Sequence, residues 1–430
     1  MNKQQWTSCS LLICKFSVQG YLHKERSRTM SGLSITRYFP FTRVKIIQQN
    51  VHHKDASSAM IYIEPDRRYR PVCHDCTSKA ATVHSKNHVR LIRDLNIAHA
   101  QVFLQVRYRK IWCTTCRRVR VEWMSFADAG RRVTNRLARY IHALCKMLTV
   151  KDVAEHLDMD PKTVKDIDKS FLEQSLGQDH FEDLRVLMID EIAIHKGHRY
   201  MTVVADFFSG RIVWMGHNRN KQTLDTFFKN LTDDQKRTIE AVAMDMWEPY
   251  INRIRHHCPK AKIVFDFFHV VQGFGRVIDR VRRSEYVKAR GEARKVIKGS
   301  RYLLLKNEDH LSDEQRRHLA RLLELNHTLS SLYVLKDQLK LLYYYGECTQ
   351  VKQALEDWCV MAAQIDHPAV RAFARQLTYF EYGIINHADY PIGTSMLEGI
   401  NNKIKVIKRK AYGFHDDRYF ILKVKQACAA

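Results

Sequence analysis

Short apolar runs that end in an acidic residue recur in the middle of the sequence. Arg185 is followed by four apolar residues and then by Asp190 and Glu191, and a second run that starts at Ile239 ends at Asp245. A short apolar run predicts a buried strand, and open α/β sheets place their ligands beyond the carboxyl ends of such strands. We therefore expect Asp190 at the carboxyl end of the first strand of a buried sheet.

Further strands and two helices surround these runs. The strand that carries Asp190 is followed by two strands that continue the sheet in antiparallel fashion. The last strand again ends in an aspartate, Asp266. The order of elements is that of an RNase H-like sheet, within an α/β fold. The remaining predicted elements are strands at 200–206, 211–215, 239–245 and 262–266, and helices at 223–230 and 249–257.

After the last strand, only helical spacing is visible from residue 270 to 389. Leu319, Leu322 and Leu323 illustrate it, and we interpret such leucines as ordinary helix-packing core. These residues predict an all-α insertion. A final helix opens at Ser395, contains Glu398 and is dense in lysine and arginine from Lys403 to Lys410.

Two cysteine pairs precede the sheet. Cys73 with Cys76 and Cys113 with Cys116 form two Cys-x2-Cys pairs, which can supply four thiolates to one structural zinc ion. The separation of the pairs is longer than usual, and extra strands between them explain it. Four thiols unrelated in space are the alternative. The odd total of 11 cysteines fits metal ligands in a reducing compartment better than a disulfide framework.

A helix-turn-helix pattern follows the second cysteine pair. Thr149 and Asp152 form a helix start signal, and Pro161 stands where a second helix tolerates proline in its first turn. Lys162, Thr163 and Lys165 near that start are the predicted DNA contacts. A plain helical hairpin gives the same pattern, and the turn lacks the usual glycine.

Charge narrows the choice of partner. The chain has 71 Lys and Arg against 46 Asp and Glu, a formal net charge of +25, which favours a polyanion, with nucleic acid ahead of an anionic membrane surface. There is no apolar run of about 18 residues, so we expect no membrane span. We expect no signal peptide and a cytoplasmic, nucleoid-associated protein. Met30 is a possible alternative start.

Three acids form the candidate active site. Asp190 and Asp245 end adjacent strands and Glu398 begins a helix, a set that suits two magnesium or manganese ions for an in-line displacement at phosphorus. Glu398 could instead cap its helix with Ser395. Glu191 could replace Asp190, but neighbouring strand residues point to opposite faces. Asp266 and His269 form either a metal-ligand pair or a support for the site.

These elements divide the chain into six predicted regions. An N-terminal extension of uncertain order comes first and a C-terminal core helix with its tail comes last. The regions are an extension (1–40), a zinc-ribbon-like module (41–125), a helix-turn-helix region (126–180), the first part of the RNase H-like core (181–269), an all-α insertion (270–390) and the final core segment (391–430).

The cysteine pairs, the helix-turn-helix and the acidic motifs resemble, in their order, bacterial DDE transposases of the ISL3 insertion-sequence family. The motifs are Ile189-Asp190-Glu191, Asp245-Met-Trp, Asp266-Phe-Phe-His269 and Ser395-Met-Leu-Glu398-Gly-Ile-Asn401-Asn402.

The resemblance implies catalysis by Asp190, Asp245 and Glu398, with Asp266 and His269 as the Asp-x2-His step of the family. It further implies binding of terminal inverted repeats and target DNA by a homo-oligomer. Phosphates would contact the insertion and a basic stretch that includes Lys405 and Arg409.

Two other functions fit part of the pattern. One is a zinc-dependent DNA-binding regulator with structural acids, and the other is a decayed or domesticated transposase that binds ends without cutting. The complete set of three acids argues against a pure regulator, which has no need to keep them in register.

Overall fold

The computed structural model describes residues 39, 41–52, 57–195, 199–392, 395–411 and 413–429. Within these ranges the chain divides into two compact units, Met1–Leu137 and Ala138–Ala430. The N-terminal extension expected for residues 1–40 lies outside the described residues, apart from Phe39. The side chain of Ser395 is also outside them, so the capping box stays a prediction.

The first unit is built on a five-stranded sheet. Alternate residues of its central strand, including Val102, Leu104 and Val106, are fully or almost fully buried and pack with Ile63 and Ile92. This alternation is what a sheet with one covered face requires. The strands run in the order β1-β2-β4-β3, with β5 on β4: β1 (Val44–His52), β2 (Ser58–Pro65), β3 (Ala81–Ile97), β4 (Ala100–Cys113) and β5 (Arg118–Val121).

Three helices follow, and the predicted start signals are confirmed. Thr149 and Asp152 form a reciprocal capping box, and Asp160 caps the third helix with Pro161 in its first turn. The turn manages without glycine because Asp158 takes the left-handed conformation, φ 50°, which aspartate tolerates better than most residues. The helices are α1 (Asn135–Leu144), α2 (Val150–Leu157) and α3 (Pro161–Leu176).

The second unit contains another five-stranded sheet, with strand order β10-β9-β6-β7-β8. The strands β6, β7 and β8 are antiparallel neighbours, whereas β9 and β10 run parallel to β6. This topology agrees with the expected mixed α/β class. The strands are β6 (Val186–His195), β7 (Arg199–Asp206), β8 (Ile212–His217), β9 (Ala241–Met244) and β10 (Lys262–Phe265).

One face of this sheet packs on helices that include α4 (Lys221–Lys229), α6 (Glu248–His257) and α7 (Phe267–Lys288). No described helix is both long and apolar enough to cross a membrane. A short helix between α4 and β9 was not foreseen. The remaining helices up to residue 385 are α5 (Asp233–Thr238), α8 (Gly291–Ile297), α9 (Arg301–Leu305), α10 (Asp313–Leu325), α11 (His327–Leu341), α12 (Cys348–Ala363), α13 (Pro368–Tyr379) and α14 (Glu381–Ile385).

The opposite face is covered by the last two helices, α15 (Ser395–Lys410) and α16 (Asp417–Cys428). Ile400 and Ile404 of α15 and Phe420 and Val424 of α16 share one apolar core with alternate residues of β6, among them Met188. The final helix is therefore fixed to the strand that carries Asp190, although more than 200 residues separate them in sequence.

The prediction that Asp190 ends its strand is wrong. β6 continues to His195 because its antiparallel partner β7 pairs with it as far as Arg199. Only the parallel pairing with β9 stops early, at Met188 opposite Ala243. Asp190 thus lies beyond the parallel part of the sheet while its own strand runs on.

A buried carboxylate joins α3 to α16. Asp168 has no exposed surface, and it accepts hydrogen bonds from Tyr419 at 2.6 Å and Lys423 at 3.4 Å and contacts His142 Nδ1 at 2.6 Å. A fully buried charge is tolerated when several partners satisfy it. Asp168 therefore fixes the second helix of the helix-turn-helix to a helix that packs on the sheet of the second unit.

We expect Asp168→Ala to lower the free energy of unfolding by about 3 kcal/mol, because Lys423 then loses its buried counter-charge. Urea unfolding followed by tryptophan fluorescence measures the change. Asp166→Ala is the matched control, since Asp166 is exposed on the same helix. Equal stability of the two variants would contradict the structural role of Asp168.

Candidate functional site

Three aspartates lie at the same level of three adjacent parallel strands. The register pairs Met188 with Ala243, and two residues further along each strand stand Asp190 and Asp245. Phe265 pairs with Met244, and the next residue on each strand is Asp266 and Asp245. Strand pairing therefore brings together carboxylates that are far apart in sequence.

His269 bridges two of these carboxylates. Its Nδ1 atom lies 2.6 Å from Asp245 Oδ1 and 2.7 Å from Asp266 Oδ2. Asp266 is itself held at the start of α7, where it accepts a hydrogen bond from the backbone N–H of Phe268 at 2.7 Å. Burial lowers the pKa of His269, but the hydrogen bonds to the two aspartates outweigh it and raise that pKa to about 10. In the metal-free protein the two aspartates therefore favour the protonated imidazole.

Asp190 faces α15. Asn401 donates a hydrogen bond from Nδ2 to Asp190 Oδ2, and the backbone N–H of Glu191 donates to Asp190 Oδ1 at 2.7 Å. Burial raises the pKa of Asp190, and the nearby charge of Asp245 raises it further. Possible metal-ligand atoms of Asp190, Asp245 and His269 all lie within 4.8 Å of one another. Two carboxylates this close repel each other when both are ionised, and a divalent cation bound between them removes that repulsion.

A cavity of about 820 Å³ has Asp190, Asp266 and His269 on its wall and extends along α15. Glu398, in the first turn of α15, lines the cavity with an exposed side chain but lies outside the group of atoms within 4.8 Å. Asn401, Lys405 and Lys408 follow Glu398 at helical spacing on the same cavity wall. The cavity thus has carboxylates at one end and basic side chains along one helix.

Glu191 points to the other face of the sheet, as the alternation argument predicts. It pairs with Arg219 at 3.0 Å, and the Arg219 guanidinium lies 4.4 Å from the centre of the Trp247 ring. Burial raises the pKa of Glu191 to about 7 despite the opposing effect of Arg219. Glu191 is therefore a buried ion-pair partner and is absent from the cluster of Asp190, Asp245 and His269.

Two residues of the site were not assigned a role from sequence. Asn401 stands three positions after Glu398, so helical spacing alone could have indicated that the two share a face. Its Oδ1 atom is buried without a protein hydrogen-bond partner, which suits a site that binds a further polar group. Arg219 follows β8 in an irregular segment, and no periodic signal pointed to it.

The predicted DNA contacts of α3 differ in their surroundings. Lys162 is exposed at the start of the helix. The hydroxyl of Thr163 donates a hydrogen bond to Asp160. The amino groups of Lys165 and Lys169 both pair with Asp416, at 3.3 Å and 2.9 Å. Part of the face that sequence assigned to DNA therefore contacts the loop before α16.

The four predicted cysteine ligands converge in the first unit. Their sulfur atoms lie within 4.8 Å of one another, with Cys73 and Cys116 at 3.9 Å and Cys76 and Cys113 at 3.5 Å. A tetrahedron with Zn–S bonds of about 2.3 Å has sulfur atoms about 3.8 Å apart. The backbone N–H of Cys116 donates to Cys113 and lowers the pKa of its thiol to about 7. The cluster therefore fits a tetrahedral metal.

The strand order of the second sheet and the acids clustered on it are consistent with an RNase H-like core. The sequence matches a family described as transposase over residues 187–424, and a helix-turn-helix domain of transposase family ISL3 over residues 124–172. The chain belongs to the ISL3 family of DDE transposases.

Curated relatives agree with this assignment. The transposase for insertion sequence element IS1001 of Bordetella parapertussis is 40% identical over 370 residues, which cover 85% of this chain and 91% of the relative. The transposase for insertion sequence element IS1557 of Mycobacterium tuberculosis is 26% identical over 394 residues, which cover 85% of this chain and 88% of the relative.

We expect Glu191→Gln to stabilise the metal-free protein at pH 8 by about 2 kcal/mol, because a carboxyl with a raised pKa resists ionisation in the fold. The native pKa is about 7 against an ordinary value of 4.5. The contribution of Glu191 to stability is therefore complete below pH 4.5 and is lost as pH rises through 7. Thermal melts at pH 5 and pH 8 measure it, and a variant that is less stable than the native protein at pH 8 would contradict it.

Proposed function

We propose that this transposase binds the terminal inverted repeats of its insertion sequence and cleaves and transfers DNA strands with Asp190, Asp245 and Glu398. The observation that carries the proposal is the meeting of Asp190 with Asp245 on adjacent strands, beside a cavity that Asp190 and Glu398 both line. The fold and the family lead us to expect DNA strand transfer, and the three carboxylates are the groups that would carry out its chemistry.

Each residue of the site has a distinct task. Asp190, which lines the cavity, and Asp245 next to it hold negative charge, and Asn401 orients Asp190 by its hydrogen bond. His269 and Asp266 are positioning residues, since they fix the carboxylate of Asp245 through a charged hydrogen bond. Glu398, which lies on α15 near the C-terminal end of the sequence, adds a third carboxylate.

The carboxylates fit divalent cations. Two magnesium or manganese ions bound by Asp190, Asp245 and Glu398 would stabilise the charge on the attacking and leaving oxygens of an in-line displacement. In the first reaction water attacks the phosphorus at the end of the element, and the bond to the 3′ oxygen breaks. In the second, the freed 3′-hydroxyl attacks a phosphorus of the target DNA, the bond from that phosphorus to its 3′ oxygen breaks, and the target strand is left with a free 3′-hydroxyl.

DNA binding is assigned to two basic helices. Lys162, with Thr163 and Lys165 at the start of α3, contacts the terminal repeats, and for Lys165 this requires exchange of Asp416 for a phosphate. Lys405 and Arg409 of α15 line the active-site cavity and contact phosphates there. Because both ends of an element must be cut, we assign the activity to a homo-oligomer assembled on DNA.

The proposal divides the rest of the chain into modules. One zinc ion held by Cys73, Cys76, Cys113 and Cys116 stabilises residues 41–125. The helix-turn-helix occupies 126–180, and the core segments 181–269 and 391–430 flank an all-α insertion at 270–390. The helices between β10 and α15 support that division, since no strand occurs there among the described residues.

We expect Asp245→Asn to reduce magnesium-dependent cleavage on the order of 1000-fold, because it removes a negative charge from the site. Labelled duplexes that carry the DNA flanking the coding sequence serve as substrates, and fluorescence anisotropy measures binding, which should change less than twofold. Glu240→Gln, an acid just before the same strand, is the control. Normal cleavage by Asp245→Asn would show that the assignment of the three acids is wrong.

We expect one zinc ion per chain in native mass spectra of the purified protein, because four thiolates at these distances bind zinc tightly. Cys113→Ser should lose the ion and bind terminal-repeat DNA more weakly. Cys359→Ser is the control, since Cys359 lies outside the cluster. A native protein without bound metal would contradict the proposal.

A further inference from the structure

The helix α7 begins in the candidate active site and has one strongly basic exposed face. His269, in its first turn, belongs to the acid cluster. Gln272, Arg276, Arg280 and Arg283 follow at steps of three and four residues, so they lie on the same face of the helix as His269. We call Arg276, Arg280 and Arg283 the arginine row.

The opposite face of α7 is fully engaged in the core. Val270, Phe274, Val277, Ile278 and Val281 are buried against the helices around the sheet. The direction of the arginine row is therefore fixed by packing. Its three side chains are exposed, and 70% of the Arg283 side chain is accessible.

The charge of the arginine row is only partly neutralised within the chain. Asp279, buried on α7, pairs with Arg282, Arg283 and Arg301. In the part of the chain that the structure describes, no carboxylate forms an ion pair with Arg276 or Arg280, and Arg276 bonds only the amide of Gln272. Unpaired surface arginines that repel one another favour a polyanion.

The spacing matches duplex DNA that leaves the active site. A helix rises about 1.5 Å per residue, so the 14 steps from His269 to Arg283 span about 21 Å. One DNA strand advances about 3.4 Å per nucleotide, so this length corresponds to roughly six base pairs. From the last residue of α7 onwards the exposed surface stays basic, with Lys288, Arg290, Arg294, Lys295 and Lys298.

We propose that the arginine row binds the phosphate backbone of double-stranded DNA within about six base pairs of the scissile phosphate. This proposal rests on the proposed function for the identity of the reacting phosphate. We assign the row to contacts with phosphate oxygens, which bind DNA of any sequence through charge. It would therefore hold flanking or target DNA as readily as the element's own end.

A charge-matched variant pair tests the proposal. The first carries Arg276→Gln, Arg280→Gln and Arg283→Gln, and the second carries Arg316→Gln, Arg317→Gln and Arg321→Gln on α10. Arg316 and Arg321 already pair with Asp313 and with Glu292 and Glu324, so α10 offers the same arginine count without a comparable excess of charge. Both sets are exposed, and circular dichroism checks that the variants fold.

Binding is measured by anisotropy on a 40-base-pair duplex of arbitrary sequence with a chelator present, across a range of salt concentrations. Each phosphate contact contributes about 0.9 to the slope of log affinity against log salt. The α7 variant should lose about 2.7 from the slope, and roughly eightfold in affinity per contact at 0.1 M salt. The α10 variant should match the native protein.

An unchanged slope in the α7 variant, or an equal loss in both variants, would overturn the proposal. Duplexes that stop at the mapped cleavage point, or extend 20 base pairs beyond it, then locate the contact. A loss only on the extended duplex assigns the row to flanking and target DNA, and a loss on both assigns it to the element end as well. The salt measurement needs no cleavage. A wrong assignment of the catalytic acids would therefore leave the expected difference between the α7 and α10 variants unchanged.

Discussion

The parallel pairing of β6, β9 and β10 is the constraint on which the candidate site depends. It sets Asp190, Asp245 and Asp266 side by side, because each strand reaches the same level of the sheet in the same register. A shift of one residue in either pairing would turn a carboxylate to the other face, since side chains alternate along a strand. The buried apolar residues that precede each aspartate specify this register, and so core packing and site geometry are determined together.

The second constraint is the packing of the last two helices on that sheet. Ile400 and Ile404 fix α15 on the face that presents Asp190, and this packing brings Asn401 and Glu398 to the cavity. Asp168 connects α16 to α3 through Tyr419 and Lys423. A displacement of the helix-turn-helix would therefore act directly on α16, which shares a core with the helix that carries Glu398.

Local sequence signals were enough for the order of the strands in the second sheet and for the starts of α2 and α3. The capping box at Thr149 and the alternation that separates Asp190 from Glu191 follow from rules that act over a few residues. The adjacency of the strands that carry Asp190 and Asp245 was inferred from the order of elements. Long-range contacts were not accessible in the same way. The length of β6 depends on its pairing with β7, and the contact of Lys165 with Asp416 depends on how α16 packs. The roles of Asp190, Asp245 and Glu398 stay predictions, although the structure brings Asp190 close to Asp245 and places Asp190 and Glu398 on the wall of one cavity.

The charges around the cavity are ordered along the helices in a way that limits their cost to stability. Both α7 and α15 begin with acidic groups, Asp266 and Glu398, where the positive end of the helix dipole favours them. Their basic residues lie further along, and α15 ends with Lys408, Arg409 and Lys410. Carboxylates gathered at one point would repel one another, but two helix starts and the charged His269 offset part of that repulsion. The basic residues of α7 and α15 therefore lead away from the acid cluster. In our proposal, the DNA backbone follows the same direction as it leaves the active site.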